Sequence, residues 1–197
     1  MNLPNKLTVT RLVIAPFFFL VFFFSDIFPS INPVLYIVLL TAMYAVMELT
    51  DLLDGKIARK YNLVTDLGKV LDPFADVISH LTFFTCLLVA NIMPAWAFIF
   101  ILWREFCQSF TRMLLMGKGK AMAANIFGKA KTCFYAFSCI CGFIFRFMLV
   151  CGVKSNIALY QTILNVLFGI AAFCSVASYL IYVKQIIDSK ALASMTR

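Results

Sequence analysis

Charged side chains are scarce in this 197-residue chain. Only 13% of its residues are Asp, Glu, Lys or Arg, whereas soluble domains have about 25%. The chain has one histidine, and its seven cysteines include no C-x-x-C pair, which argues against a zinc site and a disulfide framework. Hydrophobic residues make up 63% of the chain, and its mean hydropathy is +0.95. This composition predicts an integral membrane protein.

The length and the apolar runs predict the architecture. A membrane-spanning helix needs about 20 residues, so 197 residues allow roughly six to seven spans and no separate soluble domain. We predict one all-α integral membrane domain over residues 1–197, with six transmembrane helices after a short N-terminal interfacial segment at 1–11. The spans are expected at about 12–28, from 34 to beyond 47, and at 68–90, 95–115, 129–150 and 157–183.

The basic residues predict the topology. The net charge of +8 is spread between the apolar runs instead of forming one tract, which argues against nucleic acid as a partner and favours anionic membrane lipids or phosphates. Placing the N- and C-termini in the cytoplasm leaves only Arg146 and Lys154 on the outer side, as the positive-inside rule favours. The first apolar run is longer than a secretory signal core and is expected to be retained.

Five of the nine acidic residues lie within residues 51–76. Asp51 and Asp54 are three positions apart and Asp72 and Asp76 are four apart, so each pair lies on one face of its helix. A charged residue within a span costs about 2.5–3.5 kcal/mol on insertion scales, which calls for a compensating partner. If the two helices pack antiparallel, the carboxylates form an oxygen cage that suits Mg²⁺ or Mn²⁺, and four of them suffice for two ions.

The residues next to these aspartates suggest a phosphate-containing substrate. Gly55 leaves a helix surface without a side chain, and Arg59, one turn later, is placed to bind phosphate oxygens. The competing interpretation is that the aspartates only cap helix ends and pair with neighbouring lysines and arginines. That explanation is adequate for a single aspartate, but it does not account for four at paired helical spacings.

The pattern Asp51-x2-Asp54-Gly55-x2-Ala58-Arg59-x8-Gly68-x3-Asp72-x3-Asp76 resembles the signature of the CDP-alcohol phosphotransferase family. The resemblance implies a six-helix membrane fold and a two-metal phosphoryl transfer, in which an acceptor hydroxyl attacks the phosphorus bearing the alcohol and expels CMP. It implies that the ions are held by Asp51, Asp54, Asp72 and Asp76, that Asp76 is also the base, and that the CDP site is lined by Gly55, Arg59, Thr65 and Gly68.

Two further stretches are similar to bacterial phosphatidylglycerophosphate synthases. The opening Asn2-Leu-Pro-Asn-Lys-Leu-Thr-Val-Thr-Arg11 matches a segment that covers the nucleotide, which implies CDP-substrate contacts for Asn5 and Thr8. The stretch from Arg104-Glu105 to Lys131-Thr132 resembles their glycerol 3-phosphate region. It implies acceptor binding by Arg112, Lys129 and Lys131, phosphatidyl transfer from CDP-diacylglycerol to glycerol 3-phosphate, and a location in the bacterial inner membrane. Glu105 is expected to pair with a nearby cation.

Three departures from the synthase pattern leave the acceptor open. Val77 occupies the position at which the synthases usually have Lys. A Gln that is common in them a few residues after Lys131-Thr132 is absent, and Tyr135 lies near that place. His80 follows Asp76 by one helical turn. Another substrate pair, such as CDP-choline with diacylglycerol, is therefore an alternative. A cation transporter is a second one, but it gives no reason for the fixed spacing of the glycines and arginine. The sequence leaves open whether the chain forms a homodimer.

Overall fold

The structure is a computed structural model that describes residues 2–28, 30–116 and 126–188. Within these ranges the regular structure is α-helical, without strands. The helices are α1 (Leu3–Phe22), α2 (Phe24–Ile27), α3 (Pro33–Lys60), α4 (Asp66–Val89), α5 (Ala95–Met116), α6 (Ile126–Val150) and α7 (Ile157–Asp188).

Five helical segments are long and apolar enough to cross a membrane. They are Leu3–Ile27, Pro33–Lys60, Leu67–Val89, Ala130–Val150 and Ile157–Ile187. The further long helix is α5, which contains the polar residues Arg104, Glu105 and Gln108. The prediction of an all-α integral membrane protein is confirmed.

The helix ends follow from local sequence. The Asn2 side chain accepts a hydrogen bond from the Asn5 amide, and Pro4 lies in the first turn of α1, so the cap starts the helix at Leu3. Residues 3–11, expected as an interfacial segment before the first span, therefore continue into that span as one helix. Asn62 and Asn91 have φ of 53° and 57° in the turns after α3 and α4, a left-handed conformation that asparagine tolerates.

The contacts between residues divide the chain into two compact units. The first consists of residues 1–90 and 144–155, and the second of residues 91–143 and 156–197. In the first unit α1 packs against both α3 and α4, whereas α3 and α4 have few direct contacts with each other. The acidic helices are therefore connected mainly through α1. The single domain over residues 1–197 stays a prediction.

The first unit contains the expected outer basic residue Arg146. Its Nη2 donates to Asp26 Oδ1 at 2.6 Å and to Ser25 Oγ at 3.1 Å. The guanidinium also lies over the Phe22 ring, 5.4 Å from its centroid. The positive charge that departs from the positive-inside rule is thus paired with a carboxylate.

In the second unit α5 packs against α7. Both helices have buried apolar residues, among them Ala97 and Ile101 on α5 and Phe168 and Ala171 on α7. Gly169 allows close approach, because a Cβ atom there would lie 3.2 Å from the Trp96 ring. Buried polar residues occupy the same two helices further along, and they are described with the site.

Candidate functional site

Three of the four aspartates are gathered around side chains of α1. The buried Thr8 hydroxyl lies 3.0 Å from Asp54 Oδ2 and 2.7 Å from Asp72 Oδ1. The carboxylates of α3 and α4 therefore converge on one hydroxyl of a third helix. The spacing predicted that the carboxylates converge if the two acidic helices pack directly against each other. In the structure they converge because both helices pack against α1.

Arg11 binds two of these carboxylates and was not assigned a role from the sequence. Its side chain is only 1% exposed, its Nη1 donates to Asp51 Oδ1, and its Nη2 donates to Asp54 Oδ2 at 2.8 Å. Thr8 and Arg11 are three residues apart and so lie on one face of α1. This spacing, in a helix that ends in a long apolar run, was the available signal for a role of Arg11 at the aspartates.

Asp76 has a different environment. Its side chain is 40% exposed, and His80 Nδ1 lies 3.3 Å from its Oδ1 and 2.9 Å from its main-chain carbonyl oxygen. Because both oxygens are acceptors, the hydrogen of the neutral imidazole belongs on Nδ1. His80 also packs near the rings of Phe83 and Phe84. It therefore combines the packing role that is usual for a lone histidine with a contact to the predicted base.

The four carboxylates act on one another electrostatically. The negative charge of Asp76 repels that of Asp51, and the charges of Asp72 and Asp51 repel that of Asp54. Arg11 opposes this repulsion at both Asp51 and Asp54. The site is therefore a concentrated negative charge that one buried cation partly neutralises.

Thr8, one of the residues predicted to contact the CDP-substrate, lies against Asp54 and Asp72, and the other five form two clusters in the first unit. In one cluster, Asn5 Nδ2 donates to Thr65 Oγ1 at 3.2 Å, and the Gly68 amide donates to the same oxygen at 3.0 Å. A Cβ atom on Gly68 would lie 2.9 Å from Asn5 Oδ1, so glycine is needed for this approach. Asn5, Thr65 and Gly68 thus lie together, and their assignment to the CDP site stays a prediction.

Gly55 and Arg59 form the other cluster. A Cβ atom on Gly55 would lie 3.4 Å from Arg59 Nη2, so the guanidinium rests against the face that the glycine leaves open. The sequence predicts an open surface for a substrate at Gly55. In the structure, that surface is the place where the exposed side chain of Arg59 lies.

Lys131, predicted to bind the acceptor, belongs to a buried polar network of the second unit. Its Nζ lies 2.9 Å from Glu105 Oε1, which also accepts hydrogen bonds from Arg104 Nη1 at 2.9 Å and from the Tyr135 hydroxyl at 3.0 Å. The expected pairing of Glu105 with a cation is confirmed. The network extends to α7, since the Tyr135 hydroxyl lies 2.7 Å from Ser175 Oγ.

Of the other two predicted acceptor residues, the structure describes the side chain of Arg112 but only the backbone of Lys129. Arg112 lies in α5 with an exposed side chain. The backbone of Lys129 belongs to α6, but its side chain lies outside the described residues. The assignment of Arg112, Lys129 and Lys131 to an acceptor site stays a prediction.

The aspartates have the donor chemistry that a hard divalent cation requires. α1 bonds Oδ1 of Asp51, Oδ2 of Asp54 and Oδ1 of Asp72, which leaves the second oxygen of each carboxylate for a ligand. Carboxylate oxygens suit Mg²⁺ and Mn²⁺. Among the described residues, no three His, Cys, Asp or Glu side chains are close enough to form a ready-made ion site. The residues therefore fit such a cation by the chemistry of their donor atoms.

Comparison with known proteins gives a family match over most of the chain. The model of the CDP-alcohol phosphatidyltransferase family matches residues 1–177. Three bacterial proteins called CDP-diacylglycerol–glycerol-3-phosphate 3-phosphatidyltransferase are similar to the chain. The Treponema pallidum protein is 38% identical over 68% of this chain and 65% of its own length, and the Bacillus subtilis protein is 36% identical over 66% and 70%. The Rickettsia bellii protein is 33% identical over 93% of this chain and 94% of its own length.

Proposed function

We propose that this chain, which belongs to the CDP-alcohol phosphatidyltransferase family, transfers a phosphatidyl group from CDP-diacylglycerol to glycerol 3-phosphate. The products are phosphatidylglycerophosphate and CMP. The observation that carries the proposal is the convergence of Asp51, Asp54 and Asp72 around Thr8 and Arg11, with the partly exposed Asp76 one turn after Asp72 on the same helix. The similarity to three bacterial enzymes with this activity in their names supports the choice of substrates.

In the proposed reaction, a hydroxyl oxygen of glycerol 3-phosphate forms a bond to the phosphorus that carries diacylglycerol. The bond from that phosphorus to the oxygen of CMP breaks, and the hydroxyl proton passes to a carboxylate oxygen of Asp76. Mg²⁺ or Mn²⁺, in one or two sites on the four aspartates, would neutralise the phosphate charge. His80 Nδ1 contacts Asp76 and limits its rotation.

Asn5, Thr65 and Gly68, together with Gly55 and Arg59, would bind the CDP portion of the donor. Arg59 provides an exposed guanidinium, which suits bidentate binding of phosphate oxygens. The Asn5 and Thr65 side chains provide polar atoms beside the first turn of α4, where main-chain amides favour an anion. Both clusters therefore have the chemistry of a nucleotide diphosphate site.

An apolar groove in the first unit supports a lipid-linked donor. The groove has a volume of about 510 Å³ and runs along α1 and α4, with Ala15, Phe19, Leu81 and Thr85 among its lining residues. Its α4 side begins at Ile78, two residues after Asp76. An acyl chain of CDP-diacylglycerol could lie there while its phosphates are near the aspartates, and a water-soluble donor has no use for such a surface.

Arg112, Lys129 and Lys131 are proposed to bind the phosphate of glycerol 3-phosphate. Arg112 has the exposed cation that this role requires. Lys131 shares Glu105 with Arg104, so in the part of the chain that the structure describes one carboxylate faces two cations. A phosphate is the kind of group that such cations bind.

The membrane-spanning helices and bacterial relatives make the chain an integral membrane protein. We further propose the cytoplasmic membrane as its location, with the N- and C-termini in the cytoplasm, because the soluble substrates and most basic residues belong there. Light scattering of the purified protein in detergent distinguishes a monomer from a homodimer.

Release of CMP by the purified protein in detergent tests the proposed function. CDP-diacylglycerol and CDP-choline are offered as donors, and glycerol 3-phosphate, other polar alcohols and diacylglycerol are offered as acceptors, with Mg²⁺, Mn²⁺ or EDTA. We expect metal-dependent CMP release that requires CDP-diacylglycerol and glycerol 3-phosphate together, with phosphatidylglycerophosphate as the lipid product. Release with CDP-choline and diacylglycerol instead would contradict the substrate assignment, and no release with any pair would contradict the enzymatic function.

A further inference from the structure

We propose that Thr8 and Arg11 are positioning residues that hold the carboxylates of Asp51, Asp54 and Asp72 ready for a divalent cation. We call Thr8 and Arg11 the α1 clamp. The inference rests on the proposed function for the presence of the cation. It goes beyond that function because it gives α1 a role at the metal ligands, in addition to the predicted contacts of its N-terminal residues with CDP.

Each contact of the α1 clamp uses one oxygen of a carboxylate. Arg11 donates to Oδ1 of Asp51 and to Oδ2 of Asp54. The Thr8 hydroxyl, which has one hydrogen to donate, lies within hydrogen-bond distance of Oδ2 of Asp54 and Oδ1 of Asp72. A carboxylate fixed through one oxygen has its other oxygen at a defined place. This is how groups behind metal ligands orient those ligands in many proteins.

Burial makes the α1 clamp rigid. Thr8 is 0% exposed and Arg11 is 1% exposed, so both side chains are enclosed by the surrounding helices. The Thr8 hydroxyl is also 3.2 Å from the Pro4 carbonyl oxygen, one turn earlier on the same helix. The two residues are separated by three positions, so the rigid helix fixes the distance between them.

Electrostatics gives Arg11 a second effect that must be separated from positioning. A buried cation reduces the repulsion among the aspartates, but it also repels an incoming divalent ion. Substitutions that preserve charge isolate the positioning effect. Thr8→Val removes only the hydroxyl, and Arg11→Lys keeps the positive charge but loses the planar fork that reaches two carboxylates at once.

Calorimetric titration of the purified protein with Mn²⁺ and Mg²⁺, without any CDP-substrate, tests the α1 clamp. We expect Thr8→Val and Arg11→Lys each to raise the dissociation constant about 10- to 100-fold, the usual range for groups behind metal ligands. Thr8→Ser keeps the hydroxyl and is expected to bind the ion nearly as the wild type does. Saturating metal should restore much of the kcat in Thr8→Val, because the ligands themselves are intact.

Thr10→Ala is the matched control. Thr10 is an exposed threonine of the same helix, and its hydroxyl donates to the Lys6 carbonyl oxygen at 2.9 Å, so its loss should not change metal affinity. Thermal melting without metal verifies that each variant is folded, and Arg11→Lys provides an independent test if Thr8→Val is not.

The α1 clamp is refuted if Thr8→Val and Arg11→Lys bind the ions as tightly as the wild type, if Thr10→Ala weakens binding equally, or if the wild type binds neither ion. The proposed function fails separately. A wild-type protein that binds the ions with the expected variant pattern but releases no CMP would preserve the clamp and overturn the activity.

Discussion

Gly68 lies where a side chain would collide with a neighbour of the nucleotide cluster. The Cβ atom of Gly68→Ala would be 2.9 Å from Asn5 Oδ1 and 3.2 Å from Thr65 Oγ1, so the bond between Asn5 and Thr65 should be lost. A lost hydrogen bond of about 0.5–1.5 kcal/mol corresponds to a roughly two- to tenfold rise in the KM for the CDP-substrate. Initial rates of CMP release measure it, with the KM for the acceptor expected to change little.

Gly55→Ala is the comparison for this variant. The nearest atom to its new Cβ would be the end of the flexible Arg59 side chain at 3.4 Å, which has room to move. The rise in the KM for the CDP-substrate should therefore be smaller than in Gly68→Ala. A larger effect of Gly55→Ala would contradict the importance of the Asn5–Thr65 contact.

Asp76 is the residue at which loss of a carboxylate should stop turnover without unfolding the protein. Its side chain is 40% exposed and its Oδ1 lies 3.3 Å from His80 Nδ1, so Asp76→Asn should remove a charge and leave the helix intact. General-base catalysis contributes about 10²- to 10⁴-fold, so kcat should fall by at least that range. Single-turnover CMP release and thermal melting together measure the effect.

Asp26→Asn provides the matched control for Asp76→Asn. It replaces another aspartate of the first unit, one that pairs with Arg146 and has no role in the proposed chemistry. We expect its kcat to remain near that of the wild type. A wild-type kcat in Asp76→Asn would refute the role of Asp76 as the base.

At single residues, the sequence predicted the type of site better than its internal contacts. The spacings of Asp51, Asp54 and Asp72 reveal a shared face within each helix, because helical geometry repeats. The role of Arg11 depends on how α1 packs against two other helices, and no local spacing encodes that. The same limit applies to Gly68, whose close neighbour Asn5 is 63 positions away in the chain.

At the scale of helices, the predicted positions agree closely with α3 to α7, since capping residues and apolar runs act locally. The start of α1 could not be read as well, because residues 3–11 are polar and basic and resemble an interfacial segment. In the structure their buried members Asn5, Thr8 and Arg11 have polar partners on α3, α4 and the turn before α4. Tertiary hydrogen bonds therefore explain why a polar stretch continues into a membrane-spanning helix.

The helices α5 and α6 share one buried carboxylate, that of Glu105. Glu105→Gln should leave Arg104 and Lys131 without their anionic partner in a buried environment. Removing one partner of a buried ion pair typically costs about 3–5 kcal/mol, so the variant should melt at a clearly lower temperature than the wild type. Thermal unfolding in detergent, followed by the loss of monodisperse protein, measures this change.

A second substitution shows whether charge is the cause. Lys131→Met, added to Glu105→Gln, removes one of the two uncompensated cations and should recover part of the lost stability. Arg104 keeps its hydrogen bond to the Ser175 carbonyl oxygen in both variants. A melting temperature unchanged in Glu105→Gln, or lowered further in the double variant, would contradict a network held by charge.

For the molecule as a whole, composition predicts the environment and the aspartate motif predicts the chemistry. An excess of apolar residues excludes a soluble fold in any arrangement of the helices, so this prediction did not depend on packing. The division of contacts into two units was not predictable, because it depends on which helix faces meet. The acceptor residues illustrate the limit: the sequence predicts Lys131 as an acceptor-binding cation, which stays a prediction, and it did not specify Lys131 as the cation that pairs with Glu105.

The charge distribution over the whole chain predicts how it crosses the membrane. All but two of the 17 basic residues lie on the side proposed to be cytoplasmic, and one of the two exceptions, Arg146, is paired with Asp26. Fusions after Asn91 and after Lys154 should therefore give active alkaline phosphatase, which folds only outside the cytoplasm. Green fluorescent protein fused after Asn62 or Arg197 should fluoresce, since it folds in the cytoplasm. Active phosphatase after Arg197, or fluorescence after Asn91, would contradict cytoplasmic termini and place the aspartates on the side of the membrane opposite to the soluble substrate.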